Sequence, residues 1–239
     1  METFTHEGSA AFNKRVGIVL DTFAEEIRTA VGVPFKALVL GGGYGRGEGA
    51  CVIKEGKEAL YNDLDLFMIT ADALELSDEI KHIAHRYEEI LGIDVDIGRP
   101  LSLKELRTLP HQLMWQDLAA GHKVLAGDKD IITANIPDWL GKPLPKGEAL
   151  RLMLNRGSGL LQAVIQAYEI DKDKTHQLPD RDFIRRNYHK CTLAFGDSLL
   201  ITYENYPVPM QEKAAALRAL SIGIDDVTKQ EVLRLLESA

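Results

Sequence analysis

Cysteine is almost missing from this chain. Cys51 and Cys191 are the only two in 239 residues. That is too few for a disulfide framework, and it suits a reducing cytosol. Blocks of lysine and arginine are also missing, and the formal net charge is −8. A long nucleic-acid groove would be basic, so this balance weighs against one while leaving room for a small basic pocket. No apolar run approaches the roughly 20 residues that cross a bilayer. Residues 1–7 do not read as a secretory leader. A cytoplasmic protein is therefore expected. Internal repeats and low-complexity tracts are lacking, and strand patterning disappears beyond about Pro137.

What is present is concentrated in residues 39–69. Six of the nine residues 41–49 are glycine. Glycine loses more backbone freedom on folding than any other residue, so this stretch is expected to be a loop rather than a helix or a paired strand. Such a loop lets the backbone approach something closely. Residues 63–69 then read Asp-Leu-Asp-Leu-Phe-Met-Ile, a strand in which Asp63 and Asp65 project from one face. Two carboxylates at that spacing repel unless a cation lies between them. Oxygen ligands on a rigid strand suit Mg²⁺, which takes one or two protein carboxylates together with substrate phosphates. Residues 93–97 form a second short acidic strand carrying Asp94 and Asp96. Their i, i+2 spacing puts both on one face, so alternation does not separate them. Glycine loop, D-x-D strand and later acidic strand together point to a two-metal nucleotidyl-transfer site.

These residues resemble the DNA polymerase β-like nucleotidyltransferase superfamily. Within it, Gly-Gly-Tyr-Gly-Arg-Gly-Glu at 42–48 is similar to the signature of bacterial protein-uridylyltransferases, and Asp63-Leu64-Asp65 follows in the expected order. The resemblance covers about the first half of the chain. The distance from Gly43 to Asp63 is longer than the family usually shows. The extra residues, 51–61, read as a hairpin turning at Gly56 beside the site mouth.

The resemblance implies an α+β fold, a small mixed sheet with flanking helices followed by a helical bundle, in the layout of small-molecule adenylyltransferases. It implies a nucleotide, ATP first among the NTPs, held by Gly42, Gly43, Tyr44, Gly45 and Arg46. It further implies two Mg²⁺ ions on Asp63, Asp65 and a third carboxylate, with transfer of a nucleoside monophosphate to a hydroxyl and release of pyrophosphate. Asp96 lies deeper in its run than Asp94 and is preferred as the third carboxylate, metal ligand or base. The other of the pair is then a supporting group or an ion-pair partner of Arg99. Arg46 reaches a phosphate or simply pairs with Glu48 or a metal-site aspartate. In the helical half, Lys190 is the candidate for the triphosphate, beside Arg156, Arg185 and Arg186, whose default reading is an exposed helix face.

In chain order, residues 10–31 carry apolar side chains at helical spacing and end at Gly32 and Pro34. A second helix follows Ser77 as N-cap and ends at Gly92. Ser102 to Glu105 has capping-box spacing. A helix through Leu113 and Leu118 leads into a short edge strand at 121–127. Pro137, Pro143 and Pro145 mark a linker, dividing the chain into 1–135 and 136–239. Beyond it, helices are expected at about 148–168, interrupted in pattern by Gly157 and Gly159, then at 181–203, 211–220 and 227–236, with 171–174 a solvated loop.

Competing readings exist for each feature. Gly45 to Ala50 matches G-x-G-x-x-A of a dinucleotide loop, but no helix follows it and the aspartates precede their apolar run. His82 and His85 sit three apart on a helix without further ligands, so a surface face is the better reading. Trp115 and Trp139 read as core or interface. The acceptor is a small molecule such as an aminoglycoside-like alcohol in preference to a protein side chain or an RNA end, expected in a cleft between the two halves with the 51–61 hairpin at its rim. The alternative is a nucleotide-binding or antitoxin-like interaction protein that uses the fold without turnover.

Overall fold

The computed structural model describes residues 3–139, 141–173, 181–221, 223, 227 and 230–234, with side chains omitted at 169–173. The chain forms two compact units, Met1–Leu140 and Gly141–Ala239. Ile136 and Trp139 pack into the core of the first unit.

The first unit opens with α1 (Ala10–Val31), whose first turn is capped by the Ser9 hydroxyl accepting from the Phe12 N–H. Its apolar stripe buries Val16, Leu20, Phe23 and Ile27 against the sheet. Strand β1 (Phe35–Leu40) follows, then a five-residue helix, α2 (Gly42–Arg46). This corrects the loop expectation. Propensity is a weak prior that tertiary context overrides. Here Tyr44 is buried, and the Gly45 N–H donates to Gly41 O at 2.8 Å, closing one helical turn. The hairpin is present as β2 (Cys51–Lys54) and β3 (Lys57–Leu60). Both loop residues have positive φ, 51° at Glu55 and 77° at Gly56, the backbone twist that two-residue hairpins favour.

Strand β4 (Asp63–Thr70), helix α3 (Asp78–Leu91), β5 (Asp94–Ile97), the two-residue β6 (Leu101–Ser102), α4 (Leu103–Leu106), α5 (Leu113–Ala120), β7 (Lys123–Gly127) and α6 (Ile131–Asn135) complete the unit. Ser77 and Gly92 cap α3, and Ser102 with Glu105 forms a complete capping box on α4. The sheet is mixed, ordered β5-β4-β1-β7 with β6 also beside β4. Strand β1 runs antiparallel to β4 and β7, while β5 and β6 run parallel to β4.

Strand alternation splits the core into two layers. Leu38, Leu40, Leu64, Leu66, Met68, Val95 and Ile97 face α1 and α3. Ala37, Val39, Phe67 and Ile69 face the other way and are covered by Leu106, Trp115, Leu118, Ile131 and Ile132 from α4 to α6. Trp115 and Trp139 both belong to this second layer. Arg99 pairs with Glu105 at 2.7 Å rather than with either nearby aspartate, because the capping box holds that carboxylate beside it.

The second unit contains α7 (Gly147–Asp173), α8 (Arg181–Thr202) and α9 (Met210–Ala219). Helix α7 runs through Gly157 and Gly159. A Cβ at 159 would come within 2.5 Å of Asn187 Oδ1, so the missing side chain lets α8 approach. Residues 171–173, expected in a loop, continue α7; a charged run without Pro or Gly does not stop a helix. Lys174 lies outside the described residues. Of the last expected helix, 227 and 230–234 are helical, and 228–229 and 235–236 lie outside the described residues. Leu200, Leu217, Leu220, Val232 and Leu233 form a small core of this unit. Among the described residues no strand follows Gly127, and no helix is long and apolar enough to cross a membrane.

Candidate active site

The site lies where the ends of four strands meet. Strand β1 finishes at Leu40 opposite Leu66 of β4. Strands β4 and β5 both start at this edge, and β7 enters it at Lys123, opposite Leu40. Parallel pairing sets Asp63 beside Asp94 and Asp65 beside Asp96. Alternation sends Leu64, Leu66, Val95 and Ile97 into the α1/α3 core, so all four aspartates project from the opposite face. Their Cα positions form a patch about 4.8 Å across the strands and about 6.7 Å along them. Helices α4 to α6 cover this face only further along β4, at Phe67 and Ile69. Asp63 and Asp65 are half-buried, and Asp94 and Asp96 are exposed.

The glycine turn abuts one corner of the patch. The Gly41 N–H donates to Asp65 O at 2.8 Å, fastening the start of α2 to β4. Gly42 has φ 58°, and a Cβ there would stand 2.0 Å from Asp65 Oδ2. The Asp65 carboxylate thus occupies the space that only glycine leaves open. Asp63 is met from another side: the Asn62 side-chain amide donates to its Oδ1. Asn62 has φ 80°, a conformation that asparagine tolerates better than most residues.

Within the turn, Tyr44 serves the scaffold. Its hydroxyl lies 2.9 Å from Ala50 O and 2.8 Å from Tyr61 O, and accepts from the Tyr61 N–H at 2.9 Å. Having one proton, it donates to one carbonyl at a time. Burial pushes this phenol up to about 12, against the opposing bond with Tyr61. Arg46 pairs with Glu48 at 2.8 Å, its stem lying against Gly121. The Lys123 ammonium donates to Gly45 O at 2.9 Å and rests 5.5 Å from the centre of the Phe4 ring. His122 is half-buried, and burial lowers its imidazole below the usual range although Leu118 O accepts a bond at Nδ1.

Of the residues expected from sequence, Gly42, Gly43, Tyr44, Gly45, Arg46, Asp63, Asp65, Asp94 and Asp96 therefore gather at one edge of the sheet. Lys190 lies on α8 and Arg156 on α7, both in the second unit. His82 and His85 are on the exposed side of α3, where His85 pairs with Glu88. Asn62 and Lys123 were not singled out by sequence. Asn62 had a signal, an asparagine at a strand corner directly before D-x-D. Lys123 had none, since its contact spans 78 positions of the chain.

Among the described residues no group of three or more His, Cys, Asp or Glu side chains is gathered as a ready-made cation cage. The donor set still fits a hard divalent ion. It consists of oxygen ligands on adjoining strands, and Mg²⁺ is usually bound by one or two carboxylates with substrate phosphate rather than in an all-protein cage.

No family model and no curated protein matches the chain. Among solved structures it is similar to a toxin-antitoxin with AMP-PNP, at 15% identity and TM-score 0.31, covering 61% of this chain and 98% of that one. It is similar to a tri-AMPylated Shewanella oneidensis HEPN toxin in complex with MNT antitoxin, at 14% identity and TM-score 0.31, covering 62% and 98%. It is also similar to spectinomycin adenyltransferase from Enterococcus faecialis with ATP and spectinomycin, at 13% identity and TM-score 0.40, covering 93% and 99%. At such TM-scores they carry no part of the functional reading, which rests on the chain's own residues.

Proposed function

We propose that the protein is a Mg²⁺-dependent nucleotidyltransferase that moves a nucleoside monophosphate, AMP from ATP in the first instance, to an acceptor hydroxyl. The observation that carries this is the pairing of Asp63 with Asp94 and Asp65 with Asp96 on one open face, beside a glycine turn whose backbone lies against Asp65. The first turn of any helix leaves N–H groups without intrahelical acceptors; those of Gly42, Gly43 and Tyr44 would face the phosphates. Asp63, Asp65 and Asp96 would hold the metal, which when bound stabilises charge on the attacking and leaving oxygens. The acceptor oxygen attacks the α-phosphorus, the bond to the bridging oxygen breaks, and pyrophosphate leaves. Asp96 or Asp94 takes the hydroxyl proton. Arg46, which pairs with Glu48 through Nε, would be the cation offered to a phosphate. A small-molecule alcohol is the proposed acceptor.

The test is Asp63→Asn combined with Asp65→Asn. Wild-type protein should show a Mg²⁺-dependent rise in melting temperature with ATP and transfer of the α-labelled nucleotide to a panel of alcohols, proteins and RNA. The double variant should lose both while keeping its circular dichroism. Equal transfer by both proteins would remove the mechanism. ATP binding without transfer to any acceptor would favour the interaction-protein reading.

A further inference from the structure

We infer that Asn62 is a positioning residue for Asp63, setting the carboxylate through its side-chain amide; this rests on the nucleotidyltransferase reading above. Asn62 is the corner between β3, which ends at Leu60, and β4, which starts at Asp63. The corner is held from behind: Tyr61 engages the buried Tyr44 hydroxyl through both its N–H and its C=O. With its neighbour so fixed, Asn62 takes φ 80° and turns its amide onto Asp63 Oδ1. A carboxylate near the start of a strand has several torsional wells. A donor on one oxygen selects among them and leaves the other oxygen for a ligand. At Asp65 the backbone acts: Gly42 leaves the space its carboxylate fills. The two acids of the D-x-D pair are thus oriented by independent devices, one backbone and one side chain. Groups that orient metal-binding carboxylates in this way typically change metal affinity 10- to 100-fold when removed.

Two substitutions separate positioning from mere architecture. Asn62→Gly keeps the positive φ at little steric cost and removes the amide. Asn62→Ala removes the amide and strains the backbone as well. The full-length proteins are titrated with Mn²⁺ in the presence of ATP, with free Mn²⁺ followed by electron paramagnetic resonance. Both variants should bind Mn²⁺ roughly 10- to 100-fold more weakly than wild type, and only Asn62→Ala should lose thermal stability. Wild-type affinity in Asn62→Gly would overturn the inference about Asn62 alone, leaving the functional reading intact. A wild type that takes up no Mn²⁺ would overturn the functional reading and the metal role of Asn62 with it. A metal-free readout tests the contact itself. The Asn62 side-chain amide resonances should move on Asp63→Asn, and an unchanged amide would also overturn the inference.

Discussion

Gly42 and Tyr44 lie two positions apart and are constrained for opposite reasons. Gly42 must lack a side chain: alanine there would put Cβ 2.0 Å from Asp65 Oδ2 at φ 58°, and the left-handed backbone alone costs about 1–2 kcal/mol. Gly42→Ala is expected to displace the Asp65 carboxylate and lower Mg²⁺-dependent transfer on the order of 100-fold, the scale of an ångström misplacement at a reacting centre. Single-turnover rates check it, with circular dichroism confirming that the fold persists. Tyr44 must keep its hydroxyl. Tyr44→Phe leaves the Tyr61 N–H and a carbonyl without that partner and should cost about 1–3 kcal/mol, read from urea unfolding. The phenol's pKa is raised by burial to about 12, so folding favours its neutral form. Its stabilisation is complete below the ordinary tyrosine value near 10 and is lost as pH rises toward about 12. Wild type should therefore lose stability over that window more steeply than Tyr44→Phe.

At the scale of elements, the capping box of α4 is the most legible device. The Ser102 hydroxyl accepts from the Glu105 N–H at 3.2 Å, while Glu105 Oε2 accepts from the Ser102 N–H at 2.9 Å. The bond from the Ser102 N–H, a second from the Ser102 hydroxyl to Glu105 Oε2 at 2.7 Å, and the Arg99 ion pair lower the Glu105 carboxyl from 4.5 to about 2. Folding favours the ionised form, so its contribution is present above 4.5 and is lost as pH falls toward about 2. Ser102→Ala should destabilise the protein by about 1 kcal/mol at neutral pH. The gap between variant and wild type should shrink as pH is lowered through that window. Denaturant melts at several pH values check both the magnitude and the direction; a gap that widens in acid would contradict the assignment.

At the scale of the molecule, both layers of the sheet core are built from residues 4–139. A fragment of residues 1–140 is expected to unfold in one cooperative transition. The second unit has a smaller core around Leu200 and Leu217, and it exposes Leu150, Leu154, Leu161, Val164, Ile165 and Tyr168 along α7. Residues 141–239 alone should therefore unfold at lower urea than the first fragment. Circular dichroism of the two fragments checks this, and a non-cooperative first fragment would contradict the division into units.

Local chemistry fixed a great deal from sequence. The caps at Ser77, Gly92 and Ser102, the turn at Gly56, the helix at 10–31 and the common face of Asp63 and Asp65 all follow from nearest-neighbour rules of period, cap and turn. Tertiary structure decided the rest. Residues 42–46 are helical because Tyr44 finds a buried seat and carbonyl partners that glycine propensity does not record. Parallel register set Asp94 beside Asp63 and Asp96 beside Asp65, a choice that alternation within one strand cannot express. Lys123 reached Gly45 from a distant strand, and Asn62 meets Asp63 at a corner where Tyr61 is held by the buried Tyr44. Period and propensity act over a few residues, whereas register and anchoring depend on which surfaces the folded chain brings together.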